Sequence, residues 1–186
     1  FHPRKLLTAG EGGAVTTLRE DLIHELDVKL FHGAEVHGGH MAFVTYGYNY
    51  RLPEMQCLML LKQLSHLDEI VAERNETQRR YAQALEPLGF VAQAHGANVT
   101  HNMQSVVFTL PQGVDYDALH DYLLGEKEIE TIYGTYCLSG CTYYRNKYHD
   151  VQPNAAFLEK HTITLPCYHG VDEQRVVDGV KSFLAK

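Results

Sequence analysis

The spacing of apolar side chains divides the chain into two parts of different character. In the first part, one helix is predicted from apolar residues at helical spacing, which are Leu22, Ile23, Leu26 and Leu30. Thr17 and Glu20 precede it in the pattern of a capping box, and Gly33 follows it as a C-cap. The run 14–17 before this helix reads as a short strand.

The segment between this helix and the next carries no helical pattern. Residues 31–51 are rich in glycine, histidine and aromatic side chains, and we expect a long irregular loop of functional importance. Pro53 suits the first position of a helix. An apolar stripe then runs from Met55 to Leu85 without an internal glycine or proline, which predicts one long connecting helix with room for a kink.

The second part alternates between strand and helix patterns. Strands are predicted at 105–110, 130–136 and 162–165, and Asp115 is placed to cap a helix. The last helix has an apolar face, formed by Val176, Val180, Phe183 and Leu184. We therefore predict a division into residues 1–52, too small for a core of their own, and residues 53–186, a connecting helix followed by an α+β domain.

Composition excludes several classes of partner. The chain has 186 residues, of which 45% are hydrophobic and 21% charged, as in ordinary globular domains. A net charge of −7 argues against binding to nucleic acid or to an anionic membrane, and no run has the length of a membrane span. Cys57 reads as a buried apolar residue, and Cys137 with Cys141 lacks a second pair that would complete a zinc site. We therefore expect no metal site. Free thiols are typical of the reducing cytoplasm, so we expect a cytoplasmic protein.

The opening run FHPRKLLTAGEGG contains the most suggestive chemical group. Lys5 precedes a glycine-rich turn at 10–13, and we expect this turn to keep the lysine amine partly dry. Because desolvation lowers the pKa of an ammonium group, such an amine can form a Schiff base with an aldehyde cofactor.

Three separated motifs occur in the order of one known family. They are the Lys5 run, GYNYR at 47–51 before the long helix, and LPCYHG at 165–170 before the last helix. Over nearly its whole length the chain resembles the DegT/DnrJ/EryC1/StrS aminotransferases, which are pyridoxal 5′-phosphate (PLP) enzymes acting on nucleotide sugars. The resemblance implies an α/β, fold-type I PLP-transferase. It implies the C-terminal half of that fold: a remnant of the large domain, the connecting helix and a small α+β domain.

The resemblance also assigns roles to individual residues. Lys5 corresponds to the lysine that binds PLP covalently and then transfers the proton. Asn49 resembles the asparagine that reaches across a homodimer to the cofactor phosphate of the neighbouring subunit, and Arg51 resembles an arginine that binds a substrate carboxylate or phosphate. Without the resemblance, Asn49 would read as a turn residue and Arg51 as a surface cation. Gly134 and Ser139 stand where many relatives carry histidines near the sugar, which leaves the sugar contacts open.

The implied function is conversion of a keto-sugar nucleotide to an amino-sugar nucleotide, with glutamate or glutamine as amine donor. The family's aspartate for the pyridine nitrogen and its serine for the phosphate lie upstream of the lysine, so we expect a fragment that is inactive alone. One alternative is a PLP-dependent sugar dehydratase, against which the retained Lys5 argues. The other is a module for dimerisation or interaction that has lost catalysis.

Overall fold

The computed structural model describes residues 1–150 and 152–186, which form two compact units, Phe1–Leu67 and Asp68–Lys186. The boundary between these units, after Leu67, lies further along the chain than the predicted domain boundary between residues 52 and 53. The predicted domain boundary stays a prediction. The helix after Pro53 belongs to the first unit because its polar side chains hydrogen-bond to the loop that follows Lys5. Gln56 Nε2, for example, donates to Ala9 O at 2.7 Å.

In the first unit, helix α1 spans Glu20–Leu30. Its N-cap is Arg19, and Thr17 Oγ1 accepts the Arg19 N–H at 3.1 Å, so the predicted capping box does not form. The C-cap is Phe31 rather than the predicted Gly33, which lies two residues further on with a φ of 74° and donates its N–H to Val28 O at 2.8 Å. The run 14–17 forms no strand, because it has no partner segment among the described residues of the unit.

The predicted irregular loop contains a β-hairpin. Strands β1 (Ala34–His37) and β2 (His40–Phe43) pair antiparallel, with His37 opposite His40. Gly38 and Gly39 form the turn with φ of 58° and 82°, values that suit the tight two-residue turns of hairpins. The prediction of a wholly irregular segment was therefore wrong.

The predicted connecting helix is broken into two. Helix α2 spans Glu54–Leu64 and α3 spans Leu67–Leu85, and Pro53 is the N-cap of α2 rather than its first residue. Ser65 Oγ donates to Lys62 O at 2.8 Å, which satisfies a carbonyl at the end of α2 and favours termination there.

The second unit is built on an antiparallel sheet. Among the described residues its order is β3 (Val91–Ala92), β4 (Val106–Thr109), β6 (Thr162–Leu165) and β5 (Ile132–Tyr133). Central strands β4 and β6 pair Val106 with Leu165, so that alternate side chains of both strands face one core.

Helices complete this unit. Helix α4 spans Tyr116–Lys127 and begins as predicted, with Asp115 Oδ1 accepting the Ala118 N–H at 2.9 Å. Helices α5 (Thr142–Tyr148), α6 (Pro153–His161) and α7 (Glu173–Leu184) follow. The sheet, α3, α4 and α7 share one apolar core, whose fully buried members include Tyr81, Leu85, Phe108, Leu119, Leu123, Ile163 and Val180. The architecture is α+β, as predicted. Among the described residues, no helix is long and apolar enough to cross a membrane.

Candidate functional site

Lys5 lies in an irregular loop at the start of the first unit. Its backbone N–H donates to His2 O at 2.9 Å, and its side chain is exposed. The prediction that the glycine turn keeps the amine partly dry is therefore wrong for this chain. The glycines carry no side chains that could cover it. Gly10 and Gly12 instead serve the turn itself, with φ of 85° and 122°.

Two glutamines of α2 hold the loop that follows Lys5. Gln63 Oε1 accepts the Thr8 N–H at 3.0 Å, and Gln63 Nε2 donates to Thr8 O at 2.6 Å. Gln56 binds Ala9 O in the same way. Sequence reasoning missed both residues, although their spacing of two helical turns on a mostly apolar helix is a signal that could have found them.

The segment that carries Asn49 and Arg51 crosses the end of α1 at very close range. Tyr48 N–H donates to Lys29 O at 2.7 Å, and His32 N–H donates to Tyr48 O at 3.0 Å. A β-carbon on Gly47 would lie 1.9 Å from the Gly33 nitrogen, so only glycine fits at this crossing. The GYNYR motif thus contains a residue needed for backbone contact beside its polar candidates.

Arg51 is held by the two residues that follow α1. One guanidinium nitrogen lies 3.2 Å from His32 Nε2, and the guanidinium carbon lies 5.1 Å from the centroid of the Phe31 ring. Phe31 also forms an isolated antiparallel bridge with Asn49. The segment before α2 is therefore tied to the end of α1 through both backbone and side chains.

An open cavity of about 920 Å³ lies beside this segment in the first unit. Asn49 and Arg51 line it, whereas Lys5 is not among its lining residues. The other walls are polar groups of the glycine-rich run and apolar groups of α1, among them Gly12, Gly13, Thr16, Thr17, Ile23, Leu26 and Leu30. The structure thus brings Asn49 and Arg51 together at one cavity and leaves Lys5 outside it.

Glu35 on the hairpin faces two histidines. His37 Nε2 lies 2.8 Å from one carboxylate oxygen of Glu35, and His24 Nε2 lies 3.1 Å from the other. The hydrogen bond with His37 lowers the pKa of Glu35 below its usual range, with the charge of His24 adding to the effect. Among the described residues, no cluster of histidine, cysteine and acidic side chains is arranged to hold a metal ion.

In the second unit, neighbouring side chains occupy the space that a side chain at position 134 would need. A β-carbon there would lie 2.3 Å from Thr162 Oγ1 and 2.6 Å from Val107 Cγ1. A larger side chain at this position would require the strands to move. The segment that includes Tyr143, Tyr144 and Arg145 is exposed throughout, and Arg145 donates to Gly140 O at 2.6 Å.

A sequence model of the DegT/DnrJ/EryC1/StrS aminotransferase family matches residues 1–183. The chain belongs to this family. Because the match covers nearly every residue, it includes the Lys5 loop, the GYNYR segment and the α+β unit together.

Solved structures of aminotransferases share the fold at low sequence identity. A sugar aminotransferase from Streptococcus pneumoniae in its PMP form is 20% identical, with a TM-score of 0.85 over 98% of this chain and 51% of its own. A DegT/DnrJ/EryC1/StrS aminotransferase from Brucella abortus is 23% identical, with a TM-score of 0.79 over 100% of this chain and 50% of its own. PseC of Helicobacter pylori, an aminotransferase involved in the biosynthesis of pseudoaminic acid, is 19% identical, with a TM-score of 0.81 over 97% of this chain and 50% of its own.

The chain therefore spans about half the length of these structures. Their likeness shows that the two units have the fold of part of a fold-type I PLP-transferase.

Proposed function

We propose that this chain supplies part of a cytoplasmic, homodimeric, PLP-dependent aminotransferase that converts a keto-sugar nucleotide to an amino-sugar nucleotide. Glutamate or glutamine is the proposed amine donor. The observation that carries the proposal is the family match over residues 1–183, which includes Lys5 on a loop that hydrogen bonds from α2 hold in place.

The residues present fit the cofactor. An uncharged lysine amine bonds covalently to an aldehyde, and amide and guanidinium groups bind phosphate and carboxylate. When bound, PLP supplies the electron sink for removing a proton from the carbon next to the reacting nitrogen. Lys5 Nζ holds the cofactor and, once released from it, carries that proton. Asn49 contributes an amide N–H to the phosphate, and Arg51 binds the carboxylate or phosphate of a substrate.

The separation of Lys5 from Asn49 supports an active site shared between two subunits. In this chain Asn49 lines a cavity to which Lys5 does not contribute. We propose that Asn49 serves the cofactor bound to Lys5 of the other copy. The activity is proposed for this chain acting together with residues that match the other half of the relatives' length.

Borohydride trapping tests the covalent role of Lys5. The chain, combined with the polypeptide that supplies the other half, is incubated with PLP, reduced, digested and analysed by mass spectrometry. We expect the phosphopyridoxyl group on the peptide that contains Lys5, its loss in Lys5→Ala, and its retention in Lys181→Ala, which removes an exposed lysine of α7. A group that persists on other lysines in Lys5→Ala at the parental level would refute the assignment.

Mixing two inactive variants tests the shared site. Lys5→Ala and Asn49→Ala are each expected to be impaired, and their mixed dimers should regain activity, because one of the two sites then has both residues. If mixing restores nothing while both variants still dimerise, Asn49 does not act across the interface.

A second candidate is a module for interaction that lacks catalysis. The observation that favours it is that the Lys5 amine is exposed and lies outside the cavity. Failure of the trapping experiment in the combined protein, with dimerisation intact, would favour this candidate.

A further inference from the structure

In the contact between His32 and Arg51, the chemistry of the two side chains decides which is the hydrogen-bond donor and which the acceptor. An arginine side chain has five N–H donors and no acceptor. At 3.2 Å from the guanidinium nitrogen, His32 Nε2 must therefore be the acceptor, which requires a neutral imidazole with its proton on Nδ1.

The backbone holds His32 in position for this bond. Its φ of 63° lies in the left-handed region, where histidine, asparagine and aspartate are found more often than other non-glycine residues. Its N–H is fixed by Tyr48 O at 3.0 Å. The ring of Phe31 lies against the same guanidinium. The guanidinium group of Arg51 therefore has two contacts that restrict its orientation, one polar with His32 and one aromatic with Phe31.

The bond leaves the remaining donors of Arg51 available to the cavity. Arg51 lines the cavity, and neither His32 nor Phe31 does. We propose that His32 is a positioning residue that holds the guanidinium of Arg51 ready to bind a carboxylate or phosphate. This inference rests on the role proposed above for Arg51.

A spectroscopic test needs no ligand. Long-range proton–nitrogen correlation spectra of the whole chain at about pH 8 should show His32 as the tautomer protonated at Nδ1. In Arg51→Gln that preference should be lost. A tautomer protonated at Nε2 in the parent chain would overturn the inference.

A binding test uses two substitutions that differ by one methylene. The amide of His32→Gln reaches the place of Nε2, whereas the amide of His32→Asn reaches only the place of Nδ1. The probes are sulfate, a phosphate-like anion of constant charge, and 2-oxoglutarate, a carboxylate, each titrated by calorimetry into the chain combined with the polypeptide that supplies the other half. We expect His32→Gln to bind like the parent and His32→Asn to bind about 3- to 10-fold more weakly. The probe that shows this difference identifies the anion class.

The outcomes separate the inference from the proposed function. Equal affinities in the parent, His32→Gln and His32→Asn, together with a loss in Arg51→Gln, overturn the role of His32 alone. Parental affinity in Arg51→Gln, or no binding of either anion by the parent, overturns both. His40→Gln, at the start of β2, is the matched control and should behave like the parent.

Discussion

Replacing Gly47 by alanine should separate the GYNYR segment from the end of α1. The new β-carbon would lie 1.9 Å from the Gly33 nitrogen and 2.5 Å from the carbonyl carbon of His32, so backbone must move rather than a side-chain end. This movement should weaken two backbone hydrogen bonds. In one, the His32 N–H donates to Tyr48 O, and in the other, the Tyr48 N–H donates to Lys29 O. At about 0.5–1.5 kcal/mol for each bond, the crossing should lose about 1–3 kcal/mol of local stability.

Amide hydrogen exchange measures this loss directly. The amides of His32 and Tyr48 should exchange about 5- to 150-fold faster in Gly47→Ala than in the parent. Gly13→Ala is the matched control, because no atom lies within 4 Å of a β-carbon there and the backbone of Gly13 needs no positive φ. Unchanged exchange at both amides in a folded Gly47→Ala protein would refute the close crossing.

Two further predictions concern the second unit. Gly125→Ala in α4 meets no neighbour and should raise the free energy of unfolding by about 0.5–1 kcal/mol, whereas Gly179→Ala in α7 places a β-carbon 3.0 Å from Leu123 Cδ2 and should gain less or destabilise. Chemical denaturation measures both, and equal gains would contradict the tight contact. Burial raises the pKa of the Cys167 thiol, so at neutral pH it should react with iodoacetamide more slowly than the exposed Cys141. Mass spectrometry follows the two peptides, denatured chain is the control, and faster labelling of Cys167 would contradict its burial.

The features predicted correctly from sequence are those set by local chemistry. Asp115 caps α4 because its side chain binds an amide three residues away, and the strands at 106–109 and 162–165 follow from short runs rich in β-branched and apolar residues. The break between α2 and α3 was harder to predict because the apolar stripe continues across it, whereas the chain ends α2 through the hydroxyl of Ser65.

The hairpin illustrates a signal that was present and not used. Gly38 and Gly39 separate two short runs, which is a recognised hairpin pattern, but the polar and aromatic side chains around them favoured a loop. Strand β2 is exposed along its length, and its apolar residues do not alternate with polar ones.

The candidate site could be predicted only in part because its contacts join distant residues. Lys5, Asn49 and Arg51 were selected by resemblance, and their roles stay predictions. The bond from Arg51 to His32 and the bonds from Gln56 and Gln63 to the Lys5 loop depend on how the chain folds back, which no local pattern encodes.

The hydrogen bonds from α2 to Thr8 and Ala9 mean that the position of the Lys5 loop depends on a helix far along the chain. Anything that slides or tilts α2 would carry the Lys5 loop with it. Substitutions on that helix are therefore a means of changing where the Lys5 amine lies.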